Sequence, residues 1–316
     1  MSFIVIIFML LKNIIYGLSV LFVGDLTERL DVLDVLALRF LISFTVLFLL
    51  KALKVLKINV GIRDIFCKTE RSAFIKPLLL AGLFEPVLYM FFETLGISQT
   101  TAVTAGVLLA LAPVAACISE MIILKENNSL LQKIFLLAGI IGVAYIAVNT
   151  DTSSGSNTIP GILFIILAMV FGQLYCVFSR KSSAHFAAFD VSYIACMLGT
   201  VVFNSVNILR HLINGSLLHY FDPLFNPENL IAFAYLSILS TIIATAMQNY
   251  SLSKAHVSSL CAFGGVSTIV TVTAGVIFNS ERIFPFHIVG FILIAIRMIG
   301  VSYIDIKKER THRRSL

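Results

Sequence analysis

A chain of 316 residues that is 59% hydrophobic and only 13% charged, with a mean hydropathy of +0.98, lies far from soluble domains, where about 25% of residues are charged. It reads as an integral membrane protein rather than a soluble enzyme. The formal charge of +6 would suit nucleic-acid binding, but the basic residues follow membrane topology, so no nucleic-acid partner is expected.

Apolar runs of roughly 20 residues, enough to cross about 30 Å of hydrocarbon as helix, recur from one end to the other. Ten spans are predicted, at residues 3–23, 34–54, 76–97, 101–123, 131–148, 160–178, 190–212, 230–250, 257–278 and 286–304. The first run has no basic leader and carries Lys12 midway, so it reads as a retained span and not a cleaved signal. In the third span Pro86 follows Glu85; proline removes a backbone donor, which predicts a kink there. Seven basic residues lie between Lys51 and Lys76, and Lys125, Lys133, Arg180, Lys181, Lys254 and five more after residue 306 fall on the same side. The alternate loops hold only Arg29, Arg210 and Arg282. Basic residues concentrate in cytoplasmic loops, so the chain is expected to be a multi-pass protein of the cell membrane with both termini cytoplasmic. Cys67, Cys117, Cys176, Cys196 and Cys261 are scattered without ligand spacing, so no disulfide, metal site or cofactor is expected.

One offset of 155 residues recurs along the chain. It relates Gly17 to Gly172, Glu93 to Gln248, Ser98 to Ser253 and Glu126 to Glu281. The shared order of spans and loops predicts a duplicated five-span unit, with residues 1–152 as the first copy and 153–316 as the second. Five is odd, so the second copy must lie upside down in the membrane. The expected fold class is therefore all-α, ten transmembrane helices in two inverted five-helix repeats, an architecture that recurs in secondary transporters.

The ordered motifs "YGLSVLF" (16–22), "ALRF" (37–40), "ETLGISQTTAVTAGVLLALAPV" (93–114), "LKE" (124–126) and "GIIGVAYI" (139–146), echoed by "NYSLSKAHVSS", "NSER" and "GVSYI" in the second half, resemble the drug/metabolite transporter superfamily, in particular its EamA-type members. The resemblance covers nearly the whole chain. It implies a central cavity and transport of small organic metabolites such as amino acids or drugs, commonly outward. Three positions depart from the pattern. Tyr16 stands where the family often has tryptophan, Thr268 lies at the offset of Pro113, and Arg297 occupies a position where glycine is expected.

Ionisable residues inside spans identify the candidate site. A charge facing lipid at the midplane costs at least about 2.5–3.5 kcal/mol, so such residues face the bundle interior or pair with one another. Lys12, Glu85 and Arg297 fall near the middle of their spans, and a carboxylate at that depth is a candidate to exchange a coupled proton. Tyr16 lies one turn after Lys12, and Glu85, Tyr89 and Glu93 form an i, i+4, i+8 stripe, one face of a helix. These positions make Lys12, Tyr16, Glu85, Tyr89 and Arg297 the expected substrate-binding set. Arg39 and Glu93 share a depth nearer the outer edge and are expected to form a charge pair or gate, with Gln248 as the amide counterpart in the second half. Thr268, Thr271 and Thr273 are expected to serve helix packing, since small hydroxyl residues allow close approach. An intramembrane enzyme and a channel-like protein are the competing readings. Neither a nucleophile–base pair nor HExxH nor a nucleotide-binding loop is present in the sequence, and the few charges suggest a local site rather than a continuous polar path.

Overall fold

A computed structural model describes residues 3–60, 72–109, 157–183, 185–254, 260, 263–289 and 291–293, with single positions at 134, 141, 145 and 296. Arg297, most of the fifth and tenth predicted spans, and the second half of the fourth lie outside the described residues. What is described is helical: α1 (Phe3–Arg29), α2 (Val32–Ala52), α3 (Ser72–Gly82), α4 (Tyr89–Ile97), α5 (Ala102–Leu109), α6 (Ile159–Ser182), α7 (Ala188–Ile213), α8 (Pro227–Ala234), α9 (Thr245–Lys254) and α10 (Gly264–Phe278). Two π-helical segments, Leu83–Leu88 and Tyr235–Ala244, join α3 to α4 and α8 to α9. Among the described residues, six helices, counting each joined pair as one, are long and apolar enough to cross a membrane.

Local chemistry sets where several helices begin. Asp31 caps α2, its side chain accepting from the Leu33 amide at 2.8 Å. Thr158 does the same for α6, with Pro160 in the first turn where a missing N–H costs nothing. Asn226 caps α8 through the Glu228 amide. Each cap satisfies an amide that the helix itself leaves unpaired.

The outer surface is apolar, unlike that of a soluble bundle, and polar groups are found inside. Large apolar side chains such as Leu163, Val201, Leu209 and Phe278 project outward, while Arg39, Ser43, Glu85, Asn249 and Thr268 are buried. This is the pattern for helices that face lipid and keep polar groups inside. Small residues bring the helices close: a Cβ on Gly17 of α1 would lie 2.7 Å from the Ser267 carbonyl of α10. The threonine stripe of α10 divides by helical phase. Thr271 donates to the Gly17 carbonyl at 2.8 Å, Thr268 is buried, and Thr273, about 200° further round than Thr271, is exposed. The expectation that all three serve packing therefore fails at Thr273.

Contacts at one end of the bundle fix which helix termini meet. Arg29, ending α1, pairs with Glu228 at the start of α8 at 2.5 Å. Asp34, in the first turn of α2, takes the Arg210 guanidinium at 2.6 Å and His211 Nε2 at 2.8 Å from the last turn of α7. The Thr158 amide ahead of α6 donates to the Gln99 carbonyl beyond α4. Glu281, past the end of α10, accepts from the Ala102 and Val103 amides that open α5, at 2.9 and 2.7 Å.

Candidate functional site

The bundle contains a cavity of about 130 Å³ bounded by α1, the third span from Glu85 to Glu93, α5, α6, α9 and α10. Lys12, Tyr16, Glu85, Tyr89, Glu93 and Gln248 all line it. The structure therefore brings together every expected site residue within the described part of the chain except Arg39, which does not line the cavity. Arg297 lies outside the described residues.

The first half supplies the charged wall. At Glu85 the backbone is extended (φ −138°, ψ 118°) between two helical stretches, so the kink expected at Pro86 is present. The interruption turns a buried carboxylate, 6% exposed, to the cavity. One turn on, the Tyr89 hydroxyl donates to Glu93 Oε1. The Tyr89 ring packs against Gly172 of α6, where an added Cβ would lie 3.0 Å from its edge. On α1, the Lys12 ammonium lies 4.4 Å from the centre of the Tyr16 ring, a distance at which a cation is attracted to the ring face. The Tyr16 hydroxyl in turn shares a hydrogen bond with Thr245 at 3.1 Å.

Arg39 and Glu93 are not joined directly, contrary to the grouping by depth. The Arg39 guanidinium is 1% exposed and donates through Nε to Thr241 Oγ1 at 2.8 Å and through a terminal nitrogen to Ser240 Oγ at 3.1 Å. Those hydroxyls belong to the second π-helical segment. Depth gives position along the helix axis but not the face, and the face of α2 that carries Arg39 meets that segment instead. Glu93 has Tyr89 as its neighbour, and Gln248, also on the cavity lining, has its amide nitrogen donating to Cys176 Sγ at 3.7 Å. Among the described residues no hydrogen bond or ion pair links Arg39, Glu93 and Gln248 to one another.

Several polar residues were missed in the sequence. Asn13 and Gln173 line the cavity, and each is an amide beside a residue already singled out, Lys12 and Gly172; that adjacency was the available signal. Thr268 also lines it, and its position at the offset of Pro113 marked the helix but not the face. A separate buried network, Tyr175 and Ser179 donating to Asn249 Oδ1 at 2.5 and 2.8 Å and Asn249 donating to Ser192 at 3.1 Å, ties α6, α7 and α9 together away from the cavity.

Long apolar helices around a cavity to which both halves contribute polar side chains fit a membrane transporter. The chain belongs to the EamA-like transporter family, whose model matches it twice, at residues 3–148 and 159–303. It is similar to the uncharacterized transporter YcxC of Bacillus subtilis strain 168, with 29% identity over 300 residues that cover 95% of this chain and 93% of the relative. It is also similar to the uncharacterized transporter YetK of the same strain, at 25% identity over 94% of this chain and 85% of the relative. A protein of known crystal structure shares the fold, with a TM-score of 0.61 at 15% identity over 95% of this chain and 97% of its own.

Proposed function

We propose that this transporter is a secondary carrier that moves a small organic solute by alternating access of two inverted five-helix repeats around the cavity, in the export direction. The observation that carries this reading is the convergence of Lys12, Tyr16, Glu85, Tyr89 and Glu93 on one buried cavity. Lys12 and Glu85, with Arg297, are assigned to the charged groups of the solute, which suits a zwitterion such as an amino acid. Glu85 is the carboxylate assigned to exchange the coupled proton. Division of the repeats between residues 152 and 153 is supported by the interval between the two matched segments. Inversion is supported by the helix termini that meet at one end: α1 ends there and α6 begins there, while α2 begins and α7 ends. Export is the direction implied by the resemblance to drug/metabolite transporters. A carrier rather than an enzyme is supported by the transporter names of the relatives.

Purified protein in liposomes tests the reading. Saturable exchange of a labelled amino-acid mixture is expected, and Glu85→Gln should reduce it about 100-fold or more while the protein stays folded, since an intramembrane charge at such a site is functional by default. An unchanged rate and pH dependence would move the site elsewhere. Orientation in the cell membrane is tested separately. A fluorescent reporter active only in the cytoplasm, joined after Leu316, should be bright, as the unequal distribution of basic residues requires.

A further inference from the structure

We propose that Gln248 and Thr268 form a neutral hydrogen-bonding subsite that recognises an N–H or O–H group on the uncharged end of the solute. The inference deepens the solute reading of the same cavity and rests on it.

The two halves of the chain line the cavity with different chemistry. Lys12, Glu85 and Glu93 come from the first half, whereas the described lining residues of the second half include Gln173, Gln248, Ser267 and Thr268 and carry no formal charge. Gln248 and Thr268 are 7% and 1% exposed. Gln248 Oε1 and Thr268 Oγ1 are buried with no hydrogen-bond partner among the described residues. Such groups are rare in folded proteins, and each requires a reason. Two other atoms share this condition, Thr94 Oγ1 and Asn207 Oδ1, but neither residue lines the cavity.

The neighbours of these two groups are occupied. The Gln248 amide nitrogen is directed at Cys176 Sγ, which leaves its carbonyl as the end able to accept from a ligand. One turn beyond Thr268, the Thr271 hydroxyl is used by the Gly17 carbonyl, and Thr245 is used by Tyr16. Thr268 is thus the cavity-lining threonine whose hydroxyl remains available to donate or accept. A carbonyl acceptor and a hydroxyl that line the same cavity, both without a partner among the described residues, fit a neutral amide or hydroxyl group. With Lys12, Glu85 and Glu93 lining the same cavity of about 130 Å³, the solute class is a small zwitterion with a short amide or hydroxyl side chain, in preference to an aliphatic one of equal size.

Two nearly isosteric pairs test this: radiolabelled asparagine against leucine, and threonine against valine, by equilibrium binding to the purified full chain in nanodiscs. In the wild type the donor-bearing member of each pair is expected to bind about tenfold or more tightly, the worth of roughly one net hydrogen bond. Gln248→Leu and Thr268→Val should each bring the ratio toward one in at least one pair while the protein remains monodisperse. Thr268→Ser, which keeps the hydroxyl, should retain the preference and guards against misfolding of the valine variant. Equal binding within both pairs by the wild type, or an undiminished preference in both folded variants, overturns the subsite and leaves the transporter reading standing. Binding of none of the four overturns both the subsite and the zwitterion assignment.

Discussion

The third span and its counterpart one repeat later share a backbone irregularity but use it differently. An offset of 155 residues carries Leu83–Leu88 onto residues 238–243, inside the second π-helical segment Tyr235–Ala244. In the first copy Pro86 lacks the amide hydrogen that a regular helix needs, so the ladder opens there. The second copy has Thr241 at that position. Its hydroxyl donates to the Leu236 carbonyl at 2.8 Å, five residues back, and Thr245 lies in the same relation to Ser240 at 3.5 Å. Side-chain hydroxyls thus serve carbonyls released by the wide turn, a recurrent way for helices to tolerate such irregularities. The opened segment of the first copy presents Glu85 to the cavity. That of the second presents Ser240 and Thr241 to Arg39 of α2. One backbone device supports a charged cavity wall in one half and a structural clasp in the other.

The largest expected effect comes from erasing the difference between the walls. Gln248→Glu sets a carboxylate at the position equivalent to Glu93, on a wall whose described residues carry no compensating charge. Exchange in liposomes should fall about 100-fold or more, because an unpaired intramembrane charge is costly and adds like charge to a cavity that already holds Glu85 and Glu93. Retained transport would mean that the two walls are interchangeable.

How much of this asymmetry is legible in the sequence follows from what a helical pattern encodes. Residue spacing along one helix specifies a shared face, so Lys12 with Tyr16 and Glu85 with Tyr89 and Glu93 were recognisable as stripes, and the structure directs both into the cavity. Span lengths likewise identified the long apolar helices. Pairings between helices require the rotation of each helix about its axis, which spacing does not supply. Arg39 was therefore matched to Glu93 by depth, although its partners lie 201 and 202 residues away in sequence. The same limit hid the division among Thr268, Thr271 and Thr273: the first two line the cavity, Thr271 also bonds α1, and Thr273 faces outward.

An intermediate effect should follow from opening the clasp. Thr241→Val removes the acceptor of Arg39 Nε, and losing a hydrogen bond to a buried charged group costs roughly 2–3 kcal/mol. Denaturant unfolding in detergent measures it. Arg39→Met combined with Thr241→Val should recover part of the loss, since an uncompensated buried charge is worse than none. Arg39→Met and Glu93→Gln, which share no hydrogen bond, should couple less strongly than Arg39→Met and Thr241→Val. Strong coupling between Arg39 and Glu93 with none between Arg39 and Thr241 would reverse the assignment of the second copy as a clasp.

The smallest effect concerns a feature that only the first copy possesses. Tyr89 donates to Glu93 and rests its ring on Gly172, whereas the offset places Ala244 at the corresponding position. Tyr89→Phe preserves the ring and its contact with Gly172 while removing the hydroxyl, so the change isolates the hydrogen bond. Glu93 then loses one donor but remains on a cavity wall, where the solute or water can replace it, and the cost to stability should be about 1 kcal/mol. Transport should fall less than about tenfold, since the cavity keeps its shape and only one bond of roughly 1 kcal/mol is lost. Gly172→Leu provides the contrast: the added side chain would displace the ring itself, and overpacking of this kind costs about 1–3 kcal/mol. If Tyr89→Phe proves as damaging as Gly172→Leu, the hydroxyl rather than the ring holds the charged wall in place, and the asymmetry between the two copies lies in a hydrogen bond more than in packing.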